Sequence, residues 1–192
     1  GIDLATNDIV KGNIAGAEKA RVHSDGKIGI GETTPLANLH IKSADSGVTP
    51  SADSDELFIE GSGNSGITIG SGSSSSGTIR FADSGTDNRG NITFNHSNEA
   101  MTFTTAASER MRIFNNGDVL IGKTAQDHGT AGIALFVGGV VSSCRDAGVP
   151  AVINRKSDDG DLILLRQDNS NEGRIRVSGS TVNYEGFSGS HE

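Results

Sequence analysis

The sequence predicts an all-β protein with little helix, assembled from short antiparallel strands in meander modules. Three features point to it. Apolar residues recur with period two rather than 3.6 along most of the chain. Glycine stands at 27 of 192 residues, with abundant Ser, only 3 Pro and no Trp, a composition of many turns. And one stretch occurs twice: "KARVHSDGKIGIGET" (Lys19–Thr33) returns as "RMRIFNNGDVLIGKT" (Arg110–Thr124), 91 residues on.

In chain order, the best helix candidate is "IAGAEKARV" (Ile14–Val22), and it is short. In each repeat copy, an acid and a base (Glu18 and Lys19; Glu109 and Arg110) precede an alternating strand. An Asx-Gly turn follows (Asp25-Gly26; Asn116-Gly117), a pair that supplies the positive φ of tight hairpins. Next come a strand ending in Gly ("KIGIG", "DVLIG"), a polar loop and another strand ("LHIKS", "LFVGG"). In "GITIGSGSSSSGTIRFADSG", the pair Ile67 and Ile69 predicts a hairpin with Ile79 and Phe81. Ile92 with Phe94, and Met101 with Phe103, predict another around "NHSNE". "LILLRQD", "GRIRVSG" and "TVNYEGF" form a terminal meander, with "NSNEG" as its first turn. Runs of about 4 to 7 residues give strands of roughly 13 to 23 Å. Four segments result: 1–50 with the first copy, a Gly/Ser-rich β region 51–109, the second copy 110–145 and the meander 146–192. Ser43–Asp55 and Ser143–Pro150 read as connectors.

A net charge of −8 and a pI near 5.0 exclude a dedicated nucleic-acid or anionic-membrane binder, which concentrates cations against phosphate. The chain holds 9 Leu, 17 Ile, 11 Val and 7 Phe, 44 residues in all. So small an apolar inventory predicts burial shared between copies, hence an oligomer. The single Cys144 allows no internal disulfide and reads as a packing residue. No run of 18 apolar residues predicts membrane insertion, and no signal-peptide pattern is present. Starting at Gly1, the sequence reads as a piece of something longer.

Motifs with chemistry in them have duller readings. "GSGNSG" (Gly61–Gly66) has dinucleotide-loop spacing, but "ITIGSGSSSSG" after it cannot form the helix that the pyrophosphate requires. "SDDGD" (Ser157–Asp161) gathers three carboxylates without calcium-loop spacing and reads as a turn. His23, His40, His96, His128 and His191 show no metal-ligand spacing and read as surface or interface packing. Asn91 and Asn95 begin formal glycosylation sequons, which arise readily in Ser/Thr/Asn-rich sequence. Serines are many, but no G-x-S-x-G elbow or triad spacing exists, so neither catalysis nor a cofactor or metal is expected.

"SERMRIFNNGDVLIGKTA" and "ARVHSDGKIGIGETTPLANLHI" resemble modules that recur in tail fibre and appendage proteins of tailed bacteriophages. "SGTIRFADSG" and "GNITFNHSNEAMTFTTAASERMRI" resemble the β-rich segment ahead of that module. The end, "GSTVNYEGFSGSHE", resembles the junction before a self-cleaving C-terminal intramolecular chaperone, which places a cleavage boundary at Gly189, Ser190, His191 and Glu192. The resemblance implies an elongated parallel homotrimer with a shared core, made in the bacterial host cytoplasm and located in the virion. Its implied partners are other phage tail proteins and a host surface glycan or protein receptor. The exposed turns Asp83–Gly90 and Arg166–Gly173 are the candidate contact regions. Two rival readings are a polysaccharide-degrading tailspike, disfavoured by 4% aromatics, and a bacterial surface adhesin.

Overall fold

A computed structural model describes residues 10–186. Within them the protein has fifteen strands in three sheets and no helix. The chain divides into two compact units, Gly1–Ile69 and Gly70–Glu192.

The first unit carries a five-stranded sheet in sequence order: β1 (Val10–Ile14), β2 (Ala17–Val22), β3 (Ile28–Ile30), β4 (Leu39–Lys42) and β5 (Leu57–Glu60). The stretch expected to be helical is instead the β1–β2 hairpin, because Ala15 (φ 52°) and Gly16 (φ 77°) both turn left-handed and reverse the chain. From β1 to β3 the pairing is antiparallel, but β3–β4 and β4–β5 are parallel. The expectation of antiparallel strands alone is therefore corrected here. Period two fixes which side chains share a face, not strand direction. Ser43–Asp55, expected as a connector, is the crossover that carries the chain from β4 back to the start of β5.

In the second unit, seven strands form one antiparallel meander: β6 (Ser76–Asp83), β7 (Thr86–Asn95), β8 (Ala100–Thr105), β9 (Ser108–Ile113), β10 (Val119–Ile121), β11 (Gly132–Phe136) and β12 (Val140–Cys144). The β7–β8 hairpin has the expected pairs, Ile92 opposite Phe103 and Phe94 opposite Met101. The hairpin expected between Ile67–Ile69 and Ile79–Phe81 does not form. β6 pairs with β7, placing Ile79 opposite Ile92, and residues 61–71 belong to no strand. A third sheet is β13 (Gly160–Gln167), β14 (Ser170–Ser178) and β15 (Thr181–Glu185). Its first turn is Asp168-Asn169 (φ 48° and 65°), so most of the expected "NSNEG" turn is strand.

Each sheet has one apolar face and one polar face. In the first unit the register aligns Val10, Val22, Ile28, Leu39 and Leu57 in one row. Ala20, Ile30, Ile41 and Ile59 form the next row on the same face. In the seven-stranded sheet, Val141, Leu135, Val119, Ile113, Met101 and Phe94 align. Ile133, Ile121, Met111, Phe103, Ile92 and Ile79 align beside them. In the third sheet Ile163, Ile175 and Tyr184 form a row beside Val177 and Val182. These faces stand open: Ile30 is 44% exposed, Leu57 48%, Leu135 42% and Ile79 50%. Among the described residues, the buried apolar side chains are Ala37, Ala100, Leu120 and Ala134.

Candidate functional site

The densest cluster of ionisable groups lies on the polar face of the first sheet. On β4, Leu39 and Ile41 face the apolar side, so His40 and Lys42 face the other. On β5 the same alternation turns Phe58 and Glu60 toward them, and parallel pairing sets His40 beside Phe58 and Lys42 beside Glu60. Glu32 arrives from the loop after β3. That loop folds over Gly29, where a Cβ would lie 2.2 Å from the Glu32 carbonyl oxygen and 3.3 Å from Pro35. Only glycine admits so close a backbone approach.

His40 is fully buried, and its ring lies 4.5 Å from that of Phe58. The Leu36 N–H donates to Nδ1 (3.4 Å), so the ring proton sits on Nε2, which donates to Glu60 Oε2 (2.9 Å). Glu60 Oε1 accepts from the Ser46 N–H (2.7 Å) and hydroxyl (2.9 Å), tying the crossover to the sheet. Lys42 Nζ lies 2.8 Å from Glu32, 3.4 Å from Glu60 and 3.6 Å from Asp45. Glu32 also accepts from the Thr34 N–H (2.6 Å) and hydroxyl (3.0 Å).

These contacts set the charges. The Ser46 N–H, followed by the Ser46 hydroxyl, His40 and Lys42, outweighs burial and holds the Glu60 carboxyl at about 2. Burial pushes Glu32 up, but Lys42 and Thr34 together hold it at about 2 as well. Glu32 in turn raises Lys42 above the ordinary lysine value. Both acids are ionised and Lys42 is a cation throughout the neutral range.

One donor atom from each of Glu32, His40 and Glu60 falls within 4.8 Å of the others, a set that suits a divalent cation. The Lys42 ammonium already bridges the two carboxylates, and His40 spends its proton on one of them. With the ammonium shared between the two carboxylates and His40 closed to solvent, the cluster ties the crossover to the sheet. The reading of His40 as surface or interface packing is corrected: it is an interior residue of the protomer.

The other described histidines make ordinary contacts. His23 bonds Asp25 (2.9 Å), His96 packs edge-on against Phe94 (5.0 Å), and His128 bonds Ser142 (3.1 Å). The "SDDGD" carboxylates are not gathered into one site. Asp158 pairs with Arg155 (2.9 Å), Asp159 accepts from the Gly179 N–H (2.9 Å), and Asp161 faces Arg174 (3.6 Å). Asp83–Gly90 spans the β6–β7 tip, where Asp83 accepts from the Gly85 and Thr86 N–H groups and from Arg89 (2.6 Å). Arg166–Gly173 spans the β13–β14 tip, beside a depression of about 260 Å³ lined by Leu164, Asn171, Arg174 and Glu185. Gly189, Ser190, His191 and Glu192 lie outside the described residues.

The cluster could be signalled in the sequence only by charge. "LHIK" carries basic residues at its two alternate positions, His40 and Lys42, and "LFIE" carries one acid, Glu60. In comparisons with known proteins, no family model and no curated protein matches this chain.

Proposed function

We propose that this chain is a structural subunit of a virion: a trimeric phage tail fibre or appendage that attaches the particle to its host by multivalent receptor binding. The observation that carries the reading is the open apolar face on each of the three sheets. A protomer that buries only Ala37, Ala100, Leu120 and Ala134 among its described apolar residues has little core of its own. Burial of apolar surface is the main favourable term in folding, at about 25 cal/mol per Å², so closing three such faces against other copies supplies what one chain lacks. The charged and Asx-rich tips at Asp83–Gly90 and Arg166–Gly173 are then the surfaces left for a receptor. Three weak identical sites per fibre raise avidity without one deep pocket.

Adsorption tests it. The labelled oligomer is expected to adhere to host cells and block phage adsorption. The Ile133→Lys/Leu135→Lys variant puts charge on the open face; it is expected to elute as a monomer and lose adhesion. Adhesion of equal strength by the monomer would contradict multivalent attachment.

A further inference from the structure

The stretch between β5 and β6 alternates like a strand but pairs with no described strand. Ile67 and Ile69 are 67% and 47% exposed, and residues 61–71 make no backbone hydrogen bond with any described residue. A five-residue turn over residues 61–65 could bring Gly66–Gly70 back along the free edge of β5, a common loop length for a hairpin. The chain goes elsewhere. At Gly61 a Cβ would lie 2.8 Å from Ser43 Oγ and 3.0 Å from Ser65 Oγ. Ser43 directly follows β4, so Gly61 continues the register of β4 and β5 by one residue, and no strand returns along β5 after it.

Among the described residues nothing pairs with the free edge of β5. Natural edge strands are blunted by bulges, prolines or lysines. β1, at the other edge of the sheet, has both a bulge between Gly12 and Asn13 and Lys11. β5 pairs in unbroken register over Leu57–Glu60 and has no such device. The apolar rows of the sheet also end at β5, on Leu57 and Ile59, a spacing that Ile67 and Ile69 match.

We propose that Gly66–Gly70 of one protomer is the sixth strand of a neighbouring protomer's sheet, added to the free edge of β5 with Ile67 and Ile69 continuing the apolar rows. The exchange is heterologous: each copy gives its strand to the next and receives one from the copy behind, which closes into a ring in a threefold assembly. Backbone pairing would give the contact its strength, and the two isoleucines its register. The proposal rests on the trimer reading above and says which segment crosses between chains.

A benzophenone amino acid at Thr68, at the centre of the segment, tests it in the full chain. After irradiation, denaturing electrophoresis is expected to show dimer- and trimer-sized products, with the cross-link mapped by mass spectrometry to the peptide containing Leu57–Glu60. Products of monomer size, or links to other peptides in an assembly that remains trimeric, would overturn the strand exchange and leave the trimer standing. A protein monomeric by light scattering would overturn both. Ile67→Pro and Thr68→Pro are a second arm, because adjacent N–H groups point to opposite sides and one of the two must face β5. Neither breaks a backbone hydrogen bond with a described residue of the protomer. At least one should raise the concentration at which the oligomer dissociates by tenfold or more, and an unchanged oligomer in both would overturn the proposal.

Discussion

Residues 10–31 and 101–122 are one piece of backbone used twice, and the two copies part company at the next residue. Val10 pairs with Val22 as Met101 pairs with Ile113, and Val22 pairs with Ile28 as Ile113 pairs with Val119. Even the bulge recurs, between Gly12 and Asn13 in one copy and Phe103 and Thr104 in the other. In both Asx-Gly turns the third-residue N–H returns to the carbonyl of His23 or Phe114 at 2.9 Å, and glycine alone takes positive φ (89° and 91°). That is a type I turn closed by a left-handed glycine, rather than a turn left-handed at both central residues.

Beyond Gly31 and Gly122 (φ 73° and 71°) the chains diverge. β4 returns parallel to β3, whereas β11 returns antiparallel to β10. The residue at the middle of the third strand explains the difference. Gly29 leaves the polar face bare, so the loop of Glu32 and Pro35 lies across it and carries the chain back to the start of β3. In the second copy Leu120 fills that space and is fully buried, so the chain has to turn alongside. The next position takes opposite charges for the same reason. Glu32 faces Lys42 across the loop, whereas Lys123 reaches Asp127 within its own turn, 2.5 Å to the carbonyl and 3.4 Å to the carboxylate. One pattern of alternation and Asx-Gly turn thus specifies the hairpin twice, and one side chain decides which way the chain leaves it.

Exchanging the features that separate the copies gives a ranked set of outcomes. Leu120→Ala empties the one large apolar site buried in the second copy and should cost about 2–5 kcal/mol in urea unfolding. Gly29→Ala drives a methyl against the Glu32 carbonyl and should cost about 1–3 kcal/mol. A cost near zero would mean that the loop does not need the bare strand.

Acid should act on the first unit next. Glu60 and Glu32 are held at about 2, against 4.5 for a free glutamate. With folded pKa values below unfolded ones, their contribution is complete above pH 4.5 and is lost as pH falls toward 2. Melting temperature followed over that window should drop for the parent, and Glu60→Gln should flatten the drop while lowering stability at pH 7.

The smallest change concerns the turn ahead of each second strand. Ala15-Gly16 in the first copy corresponds to Ala106-Ala107 in the second, where both alanines are left-handed (φ 50° and 56°). Ala107→Gly imports the first copy's residue and should stabilise by about 1 kcal/mol, and Gly16→Ala should cost a similar amount, measured by the same unfolding.

Much of this architecture is legible in the alternation itself. Ile92-x-Phe94 and Met101-x-Phe103 mark a hairpin because their turn is local. The repeat is legible from Glu18 and Glu109 onward, but not upstream, where "VKGNIAG" and "MTFTTAA" share a backbone and almost no letters. The His40–Glu60 pair is not legible, since 20 residues and a parallel crossover separate partners that period two cannot orient. The failed pairing of Ile67 and Ile69 with Ile79 and Phe81 has another cause. Alternation announces a strand without naming its partner, and here no described strand is the partner.

The central claim is that the apolar faces of these sheets are completed by other copies of the chain. Light scattering of the purified protein tests it most directly: the account predicts a species of three times the 19.8 kDa chain mass, resistant to SDS. A folded monomer of 19.8 kDa with its strands intact would contradict it.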